Sequence, residues 1–151
     1  MNNEFSLAEI EGVIREVIES GGEFELYPRG TSMLPLIREG RDSVMLVAPP
    51  EELSVCDIAF YKRDSGKFVL HRVVGAKDGL YTMCGDNQTW LEEGIRRDQI
   101  IAVVSSMKLD GKKVTPDDEK YQKWLKKWMN MPYRRFRLKI TAGLRKLGLK
   151  K

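Results

Sequence analysis

Apolar residues near the start of the chain recur at intervals of three and four, which predicts an amphipathic helix. The positions concerned are Leu7, Ile10, Val13, Ile14, Val17 and Ile18. Ser6, followed by Glu9 three positions later, matches a capping box at a helix start. Gly21-Gly22 matches a helix end, where glycine tolerates the left-handed conformation. Residues 1–22 are therefore predicted to form an N-terminal helix with one apolar face.

The spacing of apolar residues changes to two at Phe24 and Leu26, which alternate with glutamates and predict a half-buried strand. Short strand-like runs separated by turn residues continue to about residue 115. The further predicted strands are 43–47, 57–62, 67–74, 80–83 and 100–109. Asp78-Gly79 and Asp110-Gly111 predict tight hairpin turns. Residues 23–115 are therefore predicted to form a mostly β domain.

Beyond Pro116 the apolar spacing becomes helical again. The first group comprises Tyr121, Trp124, Leu125, Trp128 and Met129. Pro132 interrupts this helix. The second group comprises Tyr133, Phe136, Ile140, Leu144 and Leu147. Because Lys and Arg lie among both groups, residues 116–151 are predicted to form a basic amphipathic helical tail.

The length of 151 residues, with 42% hydrophobic and 32% charged residues, fits one soluble domain and excludes collagen-like or disordered classes. Its longest apolar runs have five residues, whereas a transmembrane helix needs about 18. The acidic N-terminus differs from a signal peptide, so we expect a cytoplasmic location. Cys56 and Cys84 form no CxxC motif and the chain has one histidine, so neither a metal site nor a cofactor is predicted.

The charge is divided unevenly along the chain. Residues 120–151 contain twelve of the 26 Lys and Arg residues and no Asp or Glu, which leaves 14 basic against 22 acidic residues in 1–119. Such a block is typical of a partner surface, and aromatic residues among the lysines favour an anionic membrane surface bound by residues 120–151. Two alternatives are that the aromatic side chains pack on the body while the lysines are solvated, and that the arginines bind RNA. Nucleic acid is the less favoured partner.

Three residues could carry chemistry. Ser32 lies in a turn flanked by Gly30 and Pro35, where a hydroxyl can be exposed and a backbone N–H aimed at an oxyanion. His71 is the only histidine, and a serine nucleophile needs a base. Asp86 follows a strand-like run and could orient the imidazole. Each also has a structural interpretation, since serine and aspartate cap turns and a strand histidine can bond to a backbone carbonyl.

Five ordered motifs together resemble a known family. They are GTSMLP at 30–35, GRDSV at 40–44, CDIAFYK at 56–62, HRVVG at 71–75 and GDN at 85–87. They look like the boxes of type I signal peptidases, which share a serine peptidase clan with LexA-like self-cleaving repressors. The resemblance implies that clan's β-fold, a Ser32 nucleophile, a His71 base and a role for Asp86 as the third residue. Thr31 and Met33, next to Ser32, are expected to help position the oxyanion or substrate.

The resemblance further implies cleavage after small residues in a peptide or leader sequence bound as an extended strand. Signal peptidases normally have transmembrane segments, so the basic tail is expected to hold this chain peripherally on the inner membrane face. Lys62 and Lys67 are alternative bases outside the base motif. Two other functions stay open: a LexA-like protein that cleaves itself, for which Ala142-Gly143 resembles the cut dipeptide, and a peptide-binding protein without turnover.

Overall fold

In the described part of the chain, an antiparallel sheet of eight strands is preceded by one α-helix and followed by two. The computed structural model describes residues 7–148. The predicted cap Ser6 and the last three residues of the basic tail lie outside that range. A mostly β chain with an N-terminal helix and C-terminal helices is therefore confirmed.

The helices are α1 at Leu7–Glu19, α2 at Glu119–Trp128 and α3 at Met131–Lys146. The strands are β1 at Phe24–Leu26, β2 at Ser43–Val47, β3 at Ile58–Lys62, β4 at Phe68–Lys77, β5 at Leu80–Cys84, β6 at Glu92–Ile95, β7 at Ile100–Leu109 and β8 at Lys112–Val114. A short 3-10 helix at Arg97–Gln99 precedes β7. The sequence pattern did not predict β6. It gave no range for β8, although the hairpin predicted at Asp110-Gly111 requires a strand there. β4 extends three residues beyond its predicted end.

The strands lie in the order β1-β2-β7-β3-β4-β5-β6, and β8 pairs with β7. Both predicted hairpins are confirmed, since Lys77 pairs with Leu80 and Leu109 pairs with Lys112. The two residues of each turn have positive φ, at Asp78-Gly79 and Asp110-Gly111. This left-handed conformation suits the twist of antiparallel strands and is tolerated by Asp and Gly.

Alternate side chains of β3 enter two hydrophobic cores, because successive residues of a strand point to opposite faces. Ile58 and Phe60 join a cluster with α1, β2 and α2, whereas Ala59 and Tyr61 join a second cluster with residues of β4, β5 and β6. β3 is therefore buried on both faces. It pairs directly with β4, the strand that carries His71.

The two C-terminal helices differ in how they meet the body. Tyr121, Leu125 and Trp128 of α2 are buried, and the first two belong to the core cluster that also contains α1 residues. In α3 only Arg134 is buried. Asn130 caps the start of α3 by accepting a hydrogen bond from the Tyr133 N–H. Within residues 7–148 no helix is long and apolar enough to cross a membrane.

Candidate functional site

Ser32 and His71 line one cavity of about 980 Å³. The wall that carries Ser32 is the turn after β1, and the wall that carries His71 is the first half of β4. Aromatic and aliphatic side chains of α1, β1, β3 and β4 make much of the surface. Charged and polar side chains, among them Arg63, Lys67 and Asn87, complete the lining, so the cavity has both apolar and polar walls.

A second turn, at residues 85–88, holds the Ser32 turn in place. The Asn87 N–H donates to the Ser32 carbonyl at 2.9 Å. Gly85 packs so closely that a Cβ there would lie 2.7 Å from the same carbonyl oxygen. Because only a residue without a side chain fits such an approach, Gly85 and Asn87 together fix the position of Ser32.

Thr31 and Met33 lie on either side of Ser32 but differ in environment. Thr31 is exposed at the cavity, and its carbonyl accepts from the Leu34 N–H at 3.2 Å. Met33 also lines the cavity but is almost fully buried, and its Sδ accepts from the Asp86 N–H at 3.5 Å. Met33 therefore anchors the Ser32 turn to the neighbouring turn.

The reactive groups of Ser32 are free in the part of the chain that the structure describes. Its backbone N–H donates to no other residue there, and its hydroxyl makes no hydrogen bond to His71. A free backbone N–H beside a hydroxyl is the arrangement that an oxyanion hole requires. Nucleophile and base often lack their hydrogen bond until substrate is bound.

His71 is only 5% exposed and lies opposite Ala59 in the β3–β4 pair. Burial lowers its pKa from 6.5 to about 4, because it disfavours the charged imidazole. Arg63 lowers the pKa further, whereas Glu92 and Asp86 oppose the shift. His71 is therefore neutral at pH 7 and able to accept a proton.

The partner of the His71 ring is Tyr61, whose hydroxyl lies 3.4 Å from Nδ1. Burial, with the Glu92 carboxylate next in effect, raises the pKa of the Tyr61 hydroxyl far above its ordinary value, so the group stays protonated. It donates to Glu92 Oε1 at 2.5 Å. Arg63 donates to both oxygens of Glu92, at 2.8 and 3.1 Å.

This chain of contacts selects a tautomer of His71. Because the Tyr61 proton is directed to Glu92, the Tyr61 oxygen faces His71 as an acceptor. An acceptor at Nδ1 favours the tautomer that carries its proton there, which leaves Nε2 with a free lone pair. Nε2 is then the atom that can act as a base.

Asp86 takes a different partner from the predicted one. Its two carboxylate oxygens accept from Nε and Nη2 of Arg72, each at 2.8 Å, and both side chains are fully buried. Arg72 follows His71 in β4, so the two side chains leave opposite faces of the strand. The expected hydrogen bond from His71 to Asp86 is therefore replaced by the contact with Tyr61, and Asp86 acts on the imidazole only through its charge.

Further residues around the 85–88 turn come from the C-terminal helices. Trp128 Nε1 donates to the Asp86 carbonyl at 2.8 Å, and Arg134 Nη1 donates to the Gly85 carbonyl at 3.2 Å. The Tyr121 hydroxyl accepts from Arg72 Nη1 at 2.9 Å. Sequence reasoning missed all three roles, as well as those of Tyr61 and Glu92. Only for Tyr61 was there a signal in the sequence, since it lies in the CDIAFYK motif at 56–62.

The other candidate residues, Lys62, Lys67 and Asp42, differ in their surroundings. Lys62 Nζ contacts Glu11 at 3.1 Å, whereas Lys67 lines the cavity. Asp42, in the GRDSV motif, is buried and accepts from the Arg38 and Asp110 N–H groups, which ties the 38–42 turn to the β7–β8 hairpin. No group of His, Cys, Asp or Glu in residues 7–148 is arranged to hold a metal ion.

Comparisons with models of protein families, with curated proteins and with solved structures find no match to this chain.

Proposed function

We propose that this protein is a serine endopeptidase of the signal peptidase-like type, in which Ser32 is the nucleophile and His71 the general base. One observation carries the proposal: Ser32 and His71, far apart in sequence, line the same cavity. The five motifs that resemble the family support it. The closely packed Gly85 beside the Ser32 carbonyl gives the GDN motif a physical role in holding the nucleophile.

In the proposed mechanism His71 Nε2 takes the proton of the Ser32 hydroxyl as the oxygen attacks a peptide carbonyl. The free Ser32 N–H, with Thr31 beside it, stabilises the oxyanion. The protonated imidazole then gives its proton to the leaving amine, and water hydrolyses the acyl-enzyme by the reverse use of the same groups. Tyr61 holds the ring, and Glu92 offsets the positive charge that forms on it.

The sheet offers a place for an extended substrate. β1 has β2 as its single strand partner in the described chain, and residues 26–32, which follow along the chain, line the cavity. An unpaired strand edge binds peptides through backbone hydrogen bonds. We therefore propose that a peptide or leader sequence binds beside β1 and is cleaved after a small residue.

Self-cleavage at Ala142-Gly143 is disfavoured by the structure around that dipeptide. Both residues lie inside α3, and the Gly143 carbonyl accepts from the Leu147 N–H at 3.2 Å. A peptidase that binds strands needs the scissile segment extended. Peptide binding without turnover is the second candidate function, because the Ser32 hydroxyl and His71 do not contact each other in the structure.

Mass spectrometry of a diverse peptide library incubated with the protein tests the proposal. Wild type should cleave after small residues, and Ser32→Ala and His71→Gln should each reduce the rate by about 10⁴ or more, since the two residues act as a unit. Ser65→Ala, in the exposed β3–β4 turn, is the matched control and should cleave as wild type. If Ser32→Ala cleaved the peptides at the same rate as wild type, the proposal would be contradicted. Peptide capture by both without cleavage would establish the binding function instead.

A further inference from the structure

α3 is held to the body through one face. Arg134, fully buried, donates from Nε to the Trp128 carbonyl at 3.0 Å and from Nη1 to the Gln88 carbonyl at 3.1 Å. Its guanidinium lies 5.8 Å from the centre of the Trp128 ring. Met131 and Leu138 are half-buried on the same side of the helix. These contacts fix which face of α3 points outward.

The outward face is apolar. At 3.6 residues per turn, Tyr133, Phe136 and Ile140 fall on one side of α3, away from Arg134, and the helical conformation of the cap residue Leu147 continues that side. All four are exposed, Phe136 by 62% and Leu147 by 72%. Tyr133 also contacts the Trp128 ring at its edge, and Leu144 of the same stripe is half-buried, so the part of the stripe that faces outward is centred on Phe136, Ile140 and Leu147.

Basic residues border this apolar face on both sides. By helical spacing Arg137 follows one edge, and Lys139 and Lys146 follow the other. All three are exposed. No Asp or Glu occurs from residue 120 onward, so no acidic side chain of the helix offsets these charges.

We infer that α3 is a docking surface for an anionic lipid bilayer, with the Phe136–Ile140–Leu147 face buried in the headgroup region. An exposed apolar face bordered by Lys and Arg is the arrangement of helices that lie in a membrane interface. Docking of α3 on the α3 of a second copy is a poor alternative, because the two basic helices would repel each other. RNA would satisfy the charges but would leave the aliphatic Ile140 and Leu147 in water.

The vesicle experiment uses the full-length protein with phosphatidylcholine vesicles, with and without phosphatidylglycerol. Co-sedimentation should be strong only with phosphatidylglycerol and should weaken as salt is added. Phe136→Gln should lower the partition coefficient about tenfold, because the favourable transfer free energy of one buried aromatic side chain is lost. Val13→Gln, which replaces an exposed apolar residue of α1, is the matched control and should bind as wild type.

The charge contribution is tested separately by Lys139→Gln, which should lower partitioning about fivefold and reduce its salt dependence. Circular dichroism of each variant checks that the helices are retained. Ser32→Ala should bind vesicles as wild type, so the loss of peptidase activity and the loss of membrane binding are separate results.

Four results would overturn the inference. Wild type could fail to bind phosphatidylglycerol vesicles, or Phe136→Gln could bind as tightly as wild type. Single-stranded RNA could bind at the same salt, release the protein from the vesicles and depend on Lys139 but not on Phe136, which would assign the surface to nucleic acid. A dimer in ultracentrifugation that Phe136→Gln dissociates would assign it to a second copy of the chain.

Discussion

Charges of both signs surround the imidazole of His71. Arg63 and Lys67 disfavour its protonated form, and Glu92 and Asp86 favour it. Burial has the largest effect and brings the pKa to about 4. His71 is therefore uncharged at neutral pH, and the nearby carboxylates stabilise the positive charge of its ring once it accepts a proton.

This environment predicts a pH dependence of stability that needs no substrate to observe. The His71 pKa is about 4 in the folded protein and about 6.5 in an unfolded chain, so only the unfolded state binds this proton between those values. Stability should fall as the pH drops from 6.5 to 4, by about 3 kcal/mol from this residue alone. Urea unfolding at a series of pH values should show a smaller loss for His71→Gln. Parallel curves for the two proteins would contradict the expectation.

Tyr61→Phe tests the tautomer of His71. As the chain has one histidine, nitrogen NMR reports on this imidazole without assignment ambiguity. Wild type should carry its proton on Nδ1, and Tyr61→Phe should give a mixture of tautomers and about a tenfold lower rate of the proposed cleavage. Tyr81→Phe removes another buried hydroxyl, one that accepts from the Leu53 N–H, and should leave the tautomer unchanged. A wild-type spectrum of the Nε2–H form would exclude the assigned role of Tyr61.

Among the connecting elements, the 85–88 turn controls the geometry of the site. It touches the Ser32 turn on one side and the C-terminal helices on the other. The Gln88 side chain closes the turn by accepting from the Gly85 N–H at 3.2 Å. Its position therefore decides where the Ser32 hydroxyl lies relative to β4.

Gly85→Ala should disturb this turn specifically. The new Cβ would meet the Ser32 carbonyl at 2.7 Å and Gln88 Oε1 at 2.9 Å, so the Ser32 turn has to move. We expect a loss of about 1–3 kcal/mol in stability from overpacking. A displacement of the nucleophile should also reduce the proposed cleavage about a hundredfold.

Gly75→Ala in β4 is the matched control, because its nearest contact would be an ordinary 3.7 Å to Thr82 Cβ. It should change stability by about 0.5 kcal/mol or less. Equal effects of the two substitutions in denaturant unfolding and in the cleavage assay would show that the close approach at Gly85 does not matter.

For the molecule as a whole, the buried pair of Arg72 and Asp86 joins three parts of the fold. Arg72 comes from β4, Asp86 from the 85–88 turn, and α2 supplies Tyr121 and Trp128 to the same cluster. Burial opposes the charged guanidinium, but Asp86 and Tyr121 hold the pKa of Arg72 above its ordinary value. The C-terminal helices are therefore tied to the sheet beneath the proposed active site.

Asp86→Asn should lower the free energy of unfolding by about 3–5 kcal/mol, because it leaves a buried guanidinium without its carboxylate. Asp64→Asn removes a similar two-bond contact with Arg96, but Asp64 is 75% exposed, so water screens this pair and the loss of stability should be far smaller than for Asp86→Asn. Thermal or denaturant unfolding checks both. An Asp86→Asn protein as stable as wild type but inactive would instead support a catalytic role for this carboxylate.

The sequence by itself predicted the elements whose signals are local. The spacing in α1 and α2 follows from the helical repeat, and Asp78-Gly79 forms a hairpin because both residues tolerate positive φ. β6 escaped prediction because it contains two glutamates and Gly94, with no apolar alternation, and it forms where β5 offers hydrogen-bond partners. Pairing along a sheet depends on the neighbouring strand, which a local pattern does not contain.

In the candidate site, too, the sequence predicted some features and the tertiary structure determined the others. The motifs identified Ser32 and His71, and the structure brings both to one cavity. Only the tertiary structure decided which carboxylate lies next to which side chain, because adjacent residues of β4 point to opposite faces. Arg72 contacts Asp86. His71 contacts Tyr61, which in turn donates to Glu92. The outward orientation of the apolar face of α3 is likewise a tertiary fact, since the helical repeat defines a stripe but only packing at Arg134 determines where it points.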